Sequence, residues 1–203
     1  MSLLATRSVV LASASAARRA LLTGAGLDVL RDPANIDEAV VKAAFRRERL
    51  GATNCAQALA EAKAKNVSPR HPGAVVIGAD QLLVADERWF DKPSSLVEGR
   101  MQLLALRGRE HELVTAACVV RDGAALWRFV DRPRLVMRSF SEAFLETYLA
   151  AAGDDLLSSV GAYRLEGPGA QLFASIDGDY FSILGLPLLP LLDFLRAQGV
   201  LAT

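Results

Sequence analysis

Between Val9 and Leu22 the chain passes from the apolar run Val9-Val10-Leu11-Ala12, through Ser13-Ala14-Ser15-Ala16-Ala17, into Arg18-Arg19-Ala20-Leu21-Leu22. This reads as a buried strand, a turn of small residues with two hydroxyls, and a helix with basic residues in its first turn. Such a junction leaves backbone N–H groups unpaired at the helix start and aims the positive end of the helix dipole at one spot. That spot suits phosphate, and hydroxyls with a guanidinium strengthen the hold. Taken alone, the block fits an ordinary strand-to-helix turn with solvent-facing arginines better. The rest of the chain shifts that balance.

The 203 residues are enough for one large domain or two small lobes. At 52 % hydrophobic residues, a sizeable core can form and global disorder is excluded. Lys plus Arg and Asp plus Glu both total 23, and zero net charge argues against a general binder of polymeric nucleic acid. Cys55 and Cys118 lie far apart without ligand-like spacing, which speaks against a disulfide framework or zinc site and fits a reducing cytoplasm. No apolar run is long enough to span a bilayer. Met1-Ser2-Leu3 reads as a cloning remnant, and the start lacks the pattern of a secretion signal. The expectation is a cytoplasmic protein without a membrane partner.

Helical and strand periods alternate. Helices are expected from about Ala16 to Thr23, over Asp37–Leu50, over Ala56–Lys65, from Ser95 to about Leu106, from Ser141 to Gly153, and from Pro187 to Gly199. Ser95-Leu96-Val97-Glu98 is a capping box. Ala74–Ala79 reads as a central strand, with Asp80 at its C-terminal end. Strands are also expected around Asp28–Arg31, Glu112–Arg121, Ala125–Met137 and Gln171–Ile176. Asp122-Gly123 is a hairpin signal, and Asp177-Gly178 turns the chain into Tyr180–Leu184. The order is α/β with hairpins, so the sheet is expected to be mixed.

Several charged residues stand at element ends. Asp80, closing a strand, is placed where ligands bind in α/β sheets and could hold a divalent cation or accept a proton from water; it could equally be a turn aspartate. Glu38 sits in a first helical turn, where the dipole alone favours a carboxylate. Lys63 belongs on a helix, where lysines usually face solvent. Lys92, before Pro93, lies on extended backbone that could aim it inward. His111 is expected to be structural, with a hydrogen bond across the sheet. No Ser–His–Asp order or metal-like histidine spacing is present. Chemistry therefore rests on carboxylates, lysines and arginine, a set that suits phosphate electrostatics with a hard cation.

These residues, in order, resemble the Maf family of nucleoside triphosphate pyrophosphatases, once named for inhibition of septum formation. Leu11-Ala12-Ser13-Ala14-Ser15 resembles the family opening. Ile36-Asp37-Glu38, Ala60-Glu61-Ala62-Lys63-Ala64, Ile77-Gly78-Ala79-Asp80 and Asp91-Lys92-Pro93 are similar to successive family blocks. So are the segment Gly108–Thr115, with His111 inside it, Gly161-Ala162-Tyr163, Gly178-Asp179-Tyr180 and Gly185-Leu186-Pro187. The resemblance covers nearly the whole chain, 1–203, taken as one domain.

The resemblance implies an elongated mixed twisted sheet with flanking helices and two lobes around a cleft, similar to the inosine triphosphate pyrophosphatases. It implies hydrolysis of a nucleoside triphosphate to monophosphate and pyrophosphate with magnesium or manganese, and removal of modified or non-canonical nucleotides. Asp80 would be general base and metal contact, and Glu38 would help hold the metal. Ser13, Arg18, Lys63 and Lys92 would grip the triphosphate. The family's first arginine falls on Ala17, its threonine after Asp80 on Gln81, a lysine on Ser159 and a glutamine on Glu166. Family branches prefer dTTP and UTP, 7-methyl-GTP, or CTP and modified pyrimidines; Glu166 resembles the 7-methyl-GTP type, where an acceptor meets ring N–H groups or a cationic base. A nucleotide-binding regulator of cell division with negligible turnover is the alternative. The resemblance is compatible with a homodimer, for which no interface is marked.

Overall fold

The computed structural model describes residues 8–202; Met1-Ser2-Leu3, read above as a cloning remnant, lie outside the described residues. The fold is mixed α/β, with one eight-stranded sheet in the order β2-β1-β3-β5-β7-β8, to which β4 adds on β3 and β6 on β5. The chain divides into two compact units. The first runs through Gln81 and adds Thr115–Asp131 and the chain from Gly185 onward; the second comprises Leu82–Val114 and Arg132–Leu184.

In the first unit β1 (Val9–Leu11) pairs in parallel with β2 (Val29–Arg31) on one side and with β3 (Val75–Ala85) on the other. The register sets Leu11 beside both Arg31 and Ile77. Between β1 and β2 runs α1 (Ala16–Gly24), capped by Ser15, whose hydroxyl accepts from Arg18 N. Two more helices precede β3: α2 (Glu38–Arg47), capped by Asp37, and α3 (Ala52–Val67). The hairpin of β5 (Glu110–Arg121) and β6 (Ala124–Asp131) turns at Asp122-Gly123, as the sequence predicts. The chain closes with α7 (Leu188–Ala197), where Phe194 stacks on Trp127 of β6.

One contact sets the position of α3. Gly78 of β3 lies so close to it that a Cβ there would collide with the Ala60 carbonyl oxygen and stand 2.8 Å from Ala64 N. Side chains two apart on a strand share a face, so Asp80 projects on the side that α3 covers. α3 is also tied to β6, where Arg128 holds Glu61 at 2.6 Å. Arg128, then Lys65, keep the Glu61 carboxyl down at about 2.

In the second unit the far end of β3 forms a hairpin with β4 (Arg88–Phe90) through Asp86 and Glu87, both at positive φ. Helix α4 (Leu96–Leu106) follows, then β7 (Arg134–Met137), α5 (Glu142–Ala152), a series of short 3-10 turns, β8 (Phe173–Asp177) and the single-turn α6 (Tyr180–Ile183). Leu83, Leu103, Leu106, Leu135, Met137 and Leu145 are among its fully buried core residues.

Three expectations need correction. Asp80 does not end a strand: β3 continues through Leu82, Leu83 and Val84 to Ala85, so Asp80 lies mid-strand at 4 % exposure. The strand expected over Ala125–Met137 is two, because Pro133 has no N–H to give a ladder. The capping box at Ser95 is half made. The Ser95 hydroxyl accepts from Glu98 N, but the Glu98 carboxylate reaches back one residue further, to Ser94 N and Oγ, both at 2.7 Å.

His111 is structural, though its partner is not a strand neighbour. Its Nε2 lies 2.8 Å from Tyr163 Oη, with Tyr163 edge-on to Phe173. Burial drives its pKa down to about 4. The native state thus binds the neutral ring, while the unfolded chain takes up a proton near 6.5. Stability from this group is complete above pH 6.5 and is lost as pH falls toward 4. Between pH 7 and pH 5 wild type should lose about 2 kcal/mol that His111→Gln does not lose, read as the shift of urea midpoint. Gly78→Ala should cost about 2–4 kcal/mol by the same measurement, since backbone rather than a flexible side chain must give way.

Candidate active site

The first unit brings Glu38, Lys63 and Asp80 into contact. Asp80 is placed by β3 and Lys63 by α3 as it crosses Gly78; Glu38 opens α2. The Lys63 ammonium lies 2.5 Å from Asp80 Oδ1 and 2.8 Å from Glu38 Oε1. Lys63 and Asp80 side chains are 9 % and 5 % exposed, Glu38 43 %. Lys63 is therefore not the solvated helix lysine that its surroundings in sequence suggest. Burial pushes the Glu38 carboxyl up, but Lys63, then Lys42 and Arg18, outweigh it and hold the pKa below the usual value.

Ser13 and Arg18 stand beside this group. Arg18 is buried, and its donors are turned inward: Nε to the Gly185 carbonyl at 2.7 Å, Nη1 to the Ala79 carbonyl at 2.9 Å and to Ser13 Oγ at 3.1 Å. Gly185 makes this possible with φ +105°, and a Cβ there would stand 3.3 Å from Arg18 Nε. Burial lowers the Arg18 pKa, and the charges of Asp80 and Glu38 oppose that; a guanidinium stays charged in a protein. Arg18 thus fastens the β1–α1 turn to the backbone next to Asp80. The Ser13 hydroxyl also accepts from Ser15 N at 3.3 Å.

Lys92 and Glu166 belong to the second unit. Lys92, read as inward-pointing, is exposed on the link between β4 and α4. Glu166 pairs with Arg164 at 3.0 Å, and Arg164 also reaches Asp155 at 3.2 Å.

Arg31 and Lys42 escape a reading of the sequence, and the partner of Gln81 does too. Arg31 Nη2 donates to the Ala14 carbonyl at 2.8 Å, inside the turn between β1 and α1. The signal was there: a strand parallel to β1 and in register ends with its arginine beside that turn. Lys42 lies one helical turn beyond Glu38 and acts on its charge. Gln81, which replaces the family's threonine, donates to Thr115 Oγ1 at 2.8 Å.

Among the described residues no cluster of three or more His, Cys, Asp or Glu side chains is placed to hold a metal ion. Asp80 and Glu38 offer two carboxylates, and Asp80 Oδ2 is buried without a hydrogen-bond partner among the described residues. An orphaned carboxylate oxygen in the interior is costly unless something binds it. The pair fits a hard cation such as magnesium, which takes one or two carboxylates and completes its shell with waters and substrate phosphates. The arrangement can hold polyphosphate against fixed positive charge and accept a proton at Asp80 Oδ2.

A protein from Granulibacter bethesdensis named nucleoside triphosphate pyrophosphatase is 54 % identical over 193 residues, 95 % of this chain and 98 % of that one. One from Mesorhizobium japonicum named 7-methyl-GTP pyrophosphatase is 47 % identical over 196 residues, 97 % of this chain and 98 % of its own length. A solved dITP/XTP pyrophosphatase from Mycobacterium abscessus aligns at a TM-score of 0.44 and 13 % identity, covering 95 % of this chain and 94 % of that one. The family model described as Maf-like protein matches residues 8–198. The chain belongs to the Maf-like protein family.

Proposed function

We propose that the chain is a metal-dependent nucleoside triphosphate pyrophosphatase, releasing nucleoside monophosphate and pyrophosphate, that it acts in the cytoplasm and that it removes modified or non-canonical nucleotides. One observation carries the reading: a buried aspartate, Asp80, has one oxygen fixed by an ammonium and the other without a hydrogen-bond partner among the described residues. The names of its relatives support the reaction class.

In the resting site Lys63 holds Asp80 Oδ1, and Oδ2 is the oxygen that takes a proton from water aligned on the α-phosphorus. As the water oxygen bonds to phosphorus, the bond from phosphorus to the bridging oxygen breaks and pyrophosphate leaves with the electron pair. Little covalent help is needed in such a step; alignment and charge neutralisation dominate. Asp80 and Glu38 would hold the divalent cation, which would supply positive charge against the polyphosphate and its leaving group. Ser13 and the first-turn N–H groups of α1 receive phosphate oxygens. Arg18 keeps that turn in register with Asp80. Lys92 adds positive charge toward the polyphosphate, and Glu166 meets the base; both roles rest on the family resemblance.

Pyrophosphate release should be measured with magnesium or manganese over a panel that includes dTTP, UTP, CTP and 7-methyl-GTP. Wild type should turn over at least one base rapidly, and Asp80→Asn should lose about 10²–10⁴-fold in rate while keeping nucleotide binding within a few-fold. Tight binding with no release on any base would replace this reading with that of a nucleotide-binding regulator.

A further inference from the structure

Lys63 holds both carboxylates of the site at once, through Asp80 Oδ1 and Glu38 Oε1. A divalent cation that draws on Asp80 and Glu38 needs oxygens facing the same small region. Two positive centres a few ångströms apart with little water between them repel strongly. The lysine and the cation are therefore rivals for one pair of anions.

The neighbouring side chains decide which group gives way. Arg18 is pinned by its three inward hydrogen bonds and cannot leave. The backbone of α3 is held against β3 at Gly78 and tied to β6 through Glu61. Of the two buried cations, Lys63 is the one whose side chain can swing: an ammonium on a flexible four-carbon stem, with no fork geometry to lose. Glu38 is the solvent-facing partner, so the lysine's exit lies on its side. Once released, a largely buried ammonium still needs an anion, and the polyphosphate is the anion at hand.

We propose that Lys63 is an internal counter-cation, which competes with the divalent ion for Asp80 and Glu38 and transfers to the polyphosphate when the ion binds. The inference rests on the metal-dependent reading above. Its consequence is coupling. The cation alone binds weakly because it must displace Lys63. Nucleotide gives the displaced ammonium a partner and so tightens the cation, and by linkage the cation tightens nucleotide by the same factor.

The test is Mn²⁺ binding, followed by the electron paramagnetic resonance signal of the free ion. Without nucleotide, Lys63→Met should bind Mn²⁺ at least tenfold more tightly than wild type. An α,β-imido nucleoside triphosphate should tighten Mn²⁺ about tenfold more in wild type than in the variant. Equal or weaker Mn²⁺ binding by folded Lys63→Met overturns the proposal. Since that variant leaves buried carboxylates unneutralised and could fail to fold, wild type supplies a second measurement. Saturating Mn²⁺ should raise acetylation of Lys63 by acetic anhydride severalfold, read by mass spectrometry; unchanged labelling overturns the proposal. Wild type that shows Mn²⁺-stimulated pyrophosphate release without either effect refutes the competition alone. Wild type with no Mn²⁺-stimulated release refutes the metal-dependent reading, and the competition with it.

Discussion

The close crossing of α3 over β3 at Gly78 is the constraint on which the site depends. A helix normally stands off a sheet by the thickness of its side chains. Here the strand offers no side chain and the helix offers Ala60 and Ala64, so backbone approaches backbone. That approach lets a lysine on the helix reach a carboxylate two residues along the strand. The same constraint buries both groups, which strengthens their attraction and raises the cost of leaving either unpaired. Arg128 of β6 holds Glu61 on the flank of the same helix, which adds a second tie to the sheet.

Four charges then share one small volume: Lys63 and Arg18 against Asp80 and Glu38. The two cations differ in kind. Arg18 uses planar, directional donors to bind three points of the fold, a strand carbonyl, a turn hydroxyl and the carbonyl of Gly185. It holds geometry and is poorly placed to follow a substrate. Lys63 is a point charge on a flexible stem and is held only by other charges. A site that must exchange its counter-ions during each turnover needs both kinds of cation.

Much of this was legible in the chain. The block Val9–Leu22 does fold as strand, turn and capped helix, because each local preference agrees with the next. The length of β3 was not legible, because Gly78-Ala79-Asp80-Gln81 interrupts the apolar run and a charged residue reads as an end. The strand continues because Asp80 Oδ1 is paired with Lys63 of α3, a contact outside any local window. For the same reason the pairing of Lys63 with Asp80 was invisible as geometry; only the family resemblance put the two in one site. Arg18 and Arg19 look alike in sequence, yet one is buried and the other exposed, a distinction set by the face that α1 turns to β3 and Gly185. Pro133, by contrast, carried a local signal, a missing N–H, that could have divided the strand in advance.

The most direct measurement is a crystal structure with Mn²⁺ and an α,β-imido nucleoside triphosphate, with the ion located by its anomalous scattering. The expected result is a peak within bonding distance of carboxylate oxygens of both Asp80 and Glu38, with the Lys63 ammonium on a phosphate oxygen. A peak away from Asp80 would contradict the assignment of this cluster as the reaction centre, whereas Lys63 still between the two carboxylates with nucleotide bound would contradict the counter-ion exchange alone.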